Sequence, residues 1–164
     1  MINNYIHKQG KRLYGLCLRL CANPHDADDL YQETWMKAMK NIDRYDPAAP
    51  FEPWITRICV NTHKNVLRGI ARSPVLNFHS NEEKEHVLQS VIAPKEADYR
   101  ELYDAIDRLP DKLRMTVILF YFREMDIEST AEVLSIPVGT VKSRLNKAKK
   151  LLKEVLTSEA DLQF

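Results

Sequence analysis

Almost every proline of the chain falls where a helical apolar period begins or ends, and no Val-Ile-Thr run alternates with period two. Proline fixes its own φ and has no N–H to donate, so at such positions it marks helix boundaries rather than strand interiors. The chain therefore reads as all-α. A first helix is expected from about Asn3 to Ala22, with Ile6, Leu13, Leu16, Cys17 and Leu20 as its apolar positions. Asn23-Pro24-His25 ends it, and Asp26 is expected to cap a second helix that continues to about Ile42. A loop with two prolines, 43–50, separates this from a third helix over Trp54 to Ala71, with Pro53 in its first turn. In that third helix Ile55, Ile58, Cys59, Thr62 and Val66 form the stripe expected to be buried. Arg57, Asn61, Lys64, Asn65, Arg68 and Arg72 fall opposite.

Charge divides the remainder. The net charge of +1 conceals local segregation: Arg57 to Arg72 holds four basic and no acidic residues, whereas Glu82 to Asp111 holds nine acids against four bases. Nucleic-acid affinity must then come from patches. The stretch after Ser73-Pro74 is polar, acidic and weakly periodic, which reads as a linker. Helices over Lys95 to Leu109 and Asp111 to Arg123 follow, broken at Pro110. The expected organisation is two small helical domains, residues 2–72 and 95–157, joined by a linker at 73–94.

Residues 126–153 carry the sharpest signal. Asp126 can cap a short helix with Ala131, Val133 and Leu134 on its apolar side, and Pro137 interrupts the pattern before a longer helix. In the longer helix Val141, Leu145, Ala148, Leu152 and Val155 recur at steps of three and four. Lys142, Ser143, Asn146, Lys147 and Lys150 face away, and Val138 to Lys153 contains six basic residues and no acidic one. A short helix, a tight corner and a helix with a cationic outer face form a helix-turn-helix, whose second helix fits the major groove.

Two sets of residues then resemble a known family. Pro137, Gly139, Thr140, Val141, Lys142, Ser143 and Arg144 match the phrase that opens the recognition helix of bacterial sigma factors. Asp29 to Trp35, and Phe51 to Ile55 continuing to Asn61, look like the other module of the minimal, extracytoplasmic-function group. Ser129-Thr130 stand where a Glu-Ile pair is usual in that family, and Ser135 replaces a turn glycine.

The resemblance implies roles. Asp29, Gln32, Glu33 and Met36 would grip a coiled coil of the largest RNA polymerase subunit. The loop from Arg44 to Phe51 would capture a base flipped from the non-template strand of the downstream promoter element, with Tyr45, Asp46, Phe51 and Asn61 as its groups. Arg57, Lys64, Asn65 and Arg68 would meet DNA on the third helix, the cations, together with Arg72, at phosphates. Thr140, Lys142, Ser143, Arg144 and Lys147 would read the upstream element. The implied function is that of a promoter-specificity subunit in a stress or signal response, with core polymerase, promoter DNA and an anti-sigma factor as partners.

Other classes find less support. His7, His25, His63, His79 and His86 are scattered, and there is no nucleophile motif or glycine-rich phosphate loop, so no enzyme and no cofactor are expected. Cys17, Cys21 and His25 have ligand spacing only if one helix continues through Asn23-Pro24, so no metal is expected. The cysteines read instead as reduced, buried thiols. No run of about eighteen apolar residues is present, so a cytoplasmic protein without membrane contact of its own is expected. A helix-turn-helix regulator acting alone is the rival function, though it needs no module of the Asp29 to Asn61 kind.

Overall fold

The computed structural model describes residues 1–21, 23–71 and 100–161. All regular structure among them is helical, in the order α1 (Ile2–Leu20), α2 (Pro24–Asn41), α3 (Phe51–Ala71), α4 (Arg100–Asp107), α5 (Asp111–Val117), α6 (Ile127–Leu134) and α7 (Val138–Asp161). The chain divides into two compact units, Met1–Ala93 and Pro94–Phe164. The sequence's expected linker, 73–94, and the start of its fourth helix, Lys95 onward, lie outside the described residues.

In the first unit α1, α2 and α3 pack against one another. Leu13, Leu18, Leu20, Ile55 and Val60 are fully enclosed, each contributing roughly 1.5–3 kcal/mol by leaving water. The buried Thr34 hydroxyl donates to the Leu30 carbonyl at 2.6 Å, so that polar group is satisfied inside its own helix. Cys17 on α1 and Cys59 on α3 bring their sulfurs to 3.7 Å without a disulfide, and Cys21 is likewise a buried thiol.

Three local expectations are corrected here. The helix α1 stops at Leu20, and α2 begins two residues earlier than Asp26. Asn23 is its cap: the Asn23 side-chain oxygen accepts the Asp26 N–H at 2.9 Å, and the Asn23 amide donates to the Asp26 carboxylate at 2.8 Å. Pro24 occupies the first turn, where its missing N–H costs nothing. On α3 the buried stripe is rotated from the expected one. Ile55, Cys59 and Thr62 are enclosed, but Thr56, Val60 and His63 join them, while Ile58 is half-buried and Val66 is 43% exposed. Because α3 packs on both α1 and α2, its buried face is broader than a single stripe and includes polar residues.

In the second unit α4, α5 and α6 all pack on α7. Ile106, Leu109, Leu113, Val117, Ala131, Val141, Leu145 and Ala148 form the core. The expected helix from Asp111 to Arg123 changes character midway: α5 is succeeded by one wide π-helical turn, Ile118–Phe122, closed by the Arg123 N–H on the Ile118 carbonyl at 3.1 Å. Glu124 then takes φ 52° before α6 begins. No helix among the described residues is long and apolar enough to cross a membrane.

Candidate functional site

The residues singled out by the sequence fall on three surfaces. The first is the outer face of α2. Ala27, Leu30, Thr34, Trp35 and Ala38 turn inward, so Asp29, Gln32, Glu33 and Met36, at steps of three, four and seven, are left together in solvent. Met39 extends the same face. It is 48% exposed and Met36 52%, giving two flexible thioethers beside three polar side chains. Met39 escaped the sequence reading although its i+3 spacing from Met36 placed it there. Lys37, at the edge of this face, pairs with Glu33 at 2.9 Å and donates to the Thr62 hydroxyl on α3 at 3.2 Å. An exposed ion pair of this kind contributes about 0–1 kcal/mol, so it orients Glu33 more than it stabilises the fold.

The second surface combines the segment after α2 with α3. A single 3-10 turn, Ile42–Arg44, leads to Tyr45. The Asp46 carboxylate then accepts the Ala48 N–H at 2.9 Å, and the Ala49 N–H donates to the Asp46 carbonyl at 2.9 Å. Between Pro47 and Pro50 these bonds give the loop its shape. The Tyr45 hydroxyl crosses the loop and donates to the Ala49 carbonyl. Burial raises the Tyr45 phenol above its ordinary pKa, so it remains a donor.

Tyr45 and Phe51 point inward, at 8% and 7% exposure. Their rings meet edge to face at 5.4 Å, and Phe51 also contacts Trp54 at 5.4 Å and Trp35 at 6.2 Å. Asp46 is exposed. Asn61 is exposed too, but ten residues beyond Phe51 it stands about 15 Å along the α3 axis. The structure therefore brings Tyr45 and Phe51 together beneath the loop, places Asp46 on its outside, and groups Asn61 with Arg57, Asn65 and Arg68 on the exposed face of α3. Lys64 is half-buried beside them.

The third surface is the helix-turn-helix. The Asp126 side chain accepts the Ser129 N–H and caps α6. Ser135 closes α6 in the left-handed region at φ 56°, ψ 47°. The Ile136 N–H then reaches back to the Ala131 carbonyl at 3.0 Å and the Ser135 N–H to the Glu132 carbonyl at 3.2 Å. This is the strained position expected from a serine in place of glycine. Thr130, also singled out by the sequence, is wholly enclosed, and its hydroxyl has no hydrogen-bond partner.

Beyond the corner, Val141, Leu145 and Ala148 seat α7 on the core. Lys142, Ser143 and Lys147 project into solvent, with Thr140 and Arg144 half-buried at the rim. Ser143 donates its hydroxyl to the Thr140 carbonyl at 3.1 Å, which occupies it until a ligand competes. Asn146, Lys149 and Lys150 continue the exposed face toward the C-terminus.

These surfaces can be set beside known proteins. Residues 6–73 match the Sigma-70 region 2 family and residues 99–152 the Sigma-70, region 4 family. The ECF RNA polymerase sigma factor SigW of Bacillus subtilis (strain 168) is 30% identical over 155 residues, spanning 88% of this chain and 83% of that one. In fold, the chain is similar to the sigma factor RpoE of Bartonella quintana, solved in complex with the anti-sigma factor NepR, at a TM-score of 0.76 and 21% identity, covering 95% and 96% of the two chains. It is also similar to CnrH, solved with the cytosolic domain of CnrY, at 0.70 and 22%, covering 95% and 87%. The chain thus belongs to the extracytoplasmic-function sigma factors, non-catalytic subunits that direct RNA polymerase to a subset of promoters in a stress or signal response.

Proposed function

We propose that the three surfaces divide the work of promoter recognition, with residues 2–72 binding core polymerase and the downstream element and residues 95–157 binding the upstream element. Asp29, Gln32, Glu33 and Met36 engage the coiled coil of the largest polymerase subunit. The observation that carries this is their joint exposure on α2 while every inward position of the helix is packed. Arg57, Lys64 and Arg68 take phosphates, a contact that supplies affinity but little sequence information, with Asn61 and Asn65 between them. The 44–51 loop receives an extruded base. Since Tyr45 and Phe51 are buried, they shape that pocket from beneath, and the outer groups are Asp46 and the loop backbone. On α7, Thr140, Lys142, Ser143, Arg144 and Lys147 read the upstream element. The chain acts in the cytoplasm, held there by an anti-sigma protein; that one fold relative was solved with an anti-sigma factor supports this.

Permanganate footprinting of a promoter with and without core enzyme tests the assignment. The chain alone is expected to bind duplex weakly and with steep salt dependence. With core it opens the duplex near the start site, and replacement of the loop abolishes opening. Tight, specific duplex binding by the chain alone, with no core-dependent opening, would instead indicate a solitary helix-turn-helix regulator.

A further inference from the structure

The short loop 46–50 is anchored at its two ends by Tyr45 and Phe51, and both anchors meet one residue from elsewhere in the sequence. Tyr5, in the first turns of α1, stacks its ring on Phe51 with centroids 3.9 Å apart and planes within 9°. It also meets the Tyr45 ring edge-on at 6.0 Å. The Tyr45 hydroxyl in turn reaches the Ala49 carbonyl inside the loop. One side chain on α1 thus touches the start of the loop, its end and, through Tyr45, its middle. Tyr5 is itself half-buried.

We infer that Tyr5 is a positioning residue for base capture: stacked on Phe51 and edge-on to Tyr45, it holds the 46–50 loop in the shape that receives an extruded base. The inference rests on the proposed role of that loop. A pocket that must recover the cost of unstacking a base does so only if its groups are already in place, because ordering them on binding subtracts from the affinity. The loop has two internal backbone or Asx bonds and two prolines, and none of its five residues is buried. Its order is therefore set from below. A tyrosine that served packing alone would affect stability and every binding activity in proportion. A positioning tyrosine changes base preference at the captured position while contact with polymerase persists.

The test uses the full chain assembled with core polymerase and a single-stranded DNA library randomised across the downstream element. Core affinity and tryptophan fluorescence are followed in parallel, since Trp35 and Trp54 both lie in the first unit. The parent enriches one base at one position. Tyr5→Ala is expected to reduce that enrichment roughly tenfold, the scale of losing one base-stacking contact, with core affinity unchanged. Tyr5→Phe keeps the stack on Phe51 and is expected to hold the preference near the parent's, which assigns the effect to the ring. A control with residues 46–50 replaced by glycine and serine should show no preference. If that control is flat while both Tyr5 variants keep the parental preference, the inference about Tyr5 is wrong and the loop assignment stands. If the control keeps the preference, the loop assignment fails and this inference with it. A proportional loss of core affinity in Tyr5→Ala would reduce Tyr5 to a packing residue. Should Tyr5→Ala not fold, Tyr5→Leu decides in its place, since it keeps an apolar side chain of similar reach and loses the flat ring that stacks on Phe51.

Discussion

The carboxylate of Asp126 accepts the backbone N–H of Ser129 across 2.7 Å and so closes the first turn of α6. That bond, reinforced by the Ser129 hydroxyl and opposed by slight desolvation, holds the Asp126 pKa below its ordinary value. A carboxyl with a lowered pKa in the folded state adds stability that is complete above its unfolded pKa and lost as pH falls through the folded one.

Asp126→Ala is therefore expected to lower the melting temperature of the second unit at pH 7, and the difference from the parent should shrink as pH falls below about 4. Asp126→Asn keeps an acceptor and should lie between the two. Calorimetry across this range checks the sign, and a gap that widens on acidification would refute the cap's charge dependence.

Ser135 holds a left-handed conformation that costs a side-chain-bearing residue roughly 1–2 kcal/mol. Ser135→Gly removes this cost but loosens the unfolded chain, so a net stabilisation of about 1 kcal/mol is expected by chemical denaturation.

Thr130 presents a second opportunity in the same unit. Its enclosed hydroxyl lacks a partner. Thr130→Val preserves the shape and removes the polar atom, which should stabilise the unit by about 1 kcal/mol. Equal or lower stability in urea melts would place a hydrogen-bonding group beside Thr130.

Joint replacement of Gln32 and Glu33 by alanine is expected to weaken binding to core polymerase at least tenfold, about 1.4 kcal/mol, while the thermal midpoint of the first unit moves little. Both residues are exposed, so no cavity forms. Surface-immobilised core polymerase gives the affinity, and unchanged binding would remove α2 from the interface.

On α7, truncating a residue with a bidentate base contact should cost roughly 1–3 kcal/mol and relax one promoter position, whereas losing a phosphate contact should weaken all sequences alike and flatten the salt slope by about one unit. Lys142, Ser143, Arg144 and Lys147 are the residues to vary, and upstream-element selections sort them.

Legibility varied with the kind of signal. The outer face of α7 was plain in the sequence because it lies opposite a regular apolar stripe, whereas that of α2 was picked out by the family resemblance. The register of α3 was read partly wrongly because Thr56 and His63, buried by two neighbouring helices, carry no apolar mark, and Val66 carries one without being buried. Asn23 and Asp26 are both competent caps, and only their reciprocal bonds decide between them. The wide turn at Ile118–Phe122 lies in an unbroken apolar run, where an extra residue per turn leaves no defect in the pattern. Tyr45 and Phe51 were ambiguous in principle, since the same flat ring that stacks on a base also packs a core.

The corner between α6 and α7 is built by the Asp126 carboxylate, by backbone groups of Ala131, Glu132, Ser135 and Ile136, and by the inward residues Val141, Leu145 and Ala148. None of these belongs to the outward set of Lys142, Ser143 and Lys147. Under the role proposed for α7, a lineage can therefore rewrite these outward residues one at a time without approaching an unfolded intermediate, and duplicated copies can diverge to separate promoters on an unchanged scaffold. The same separation makes α7 a practical place to install orthogonal specificities in a synthetic regulator.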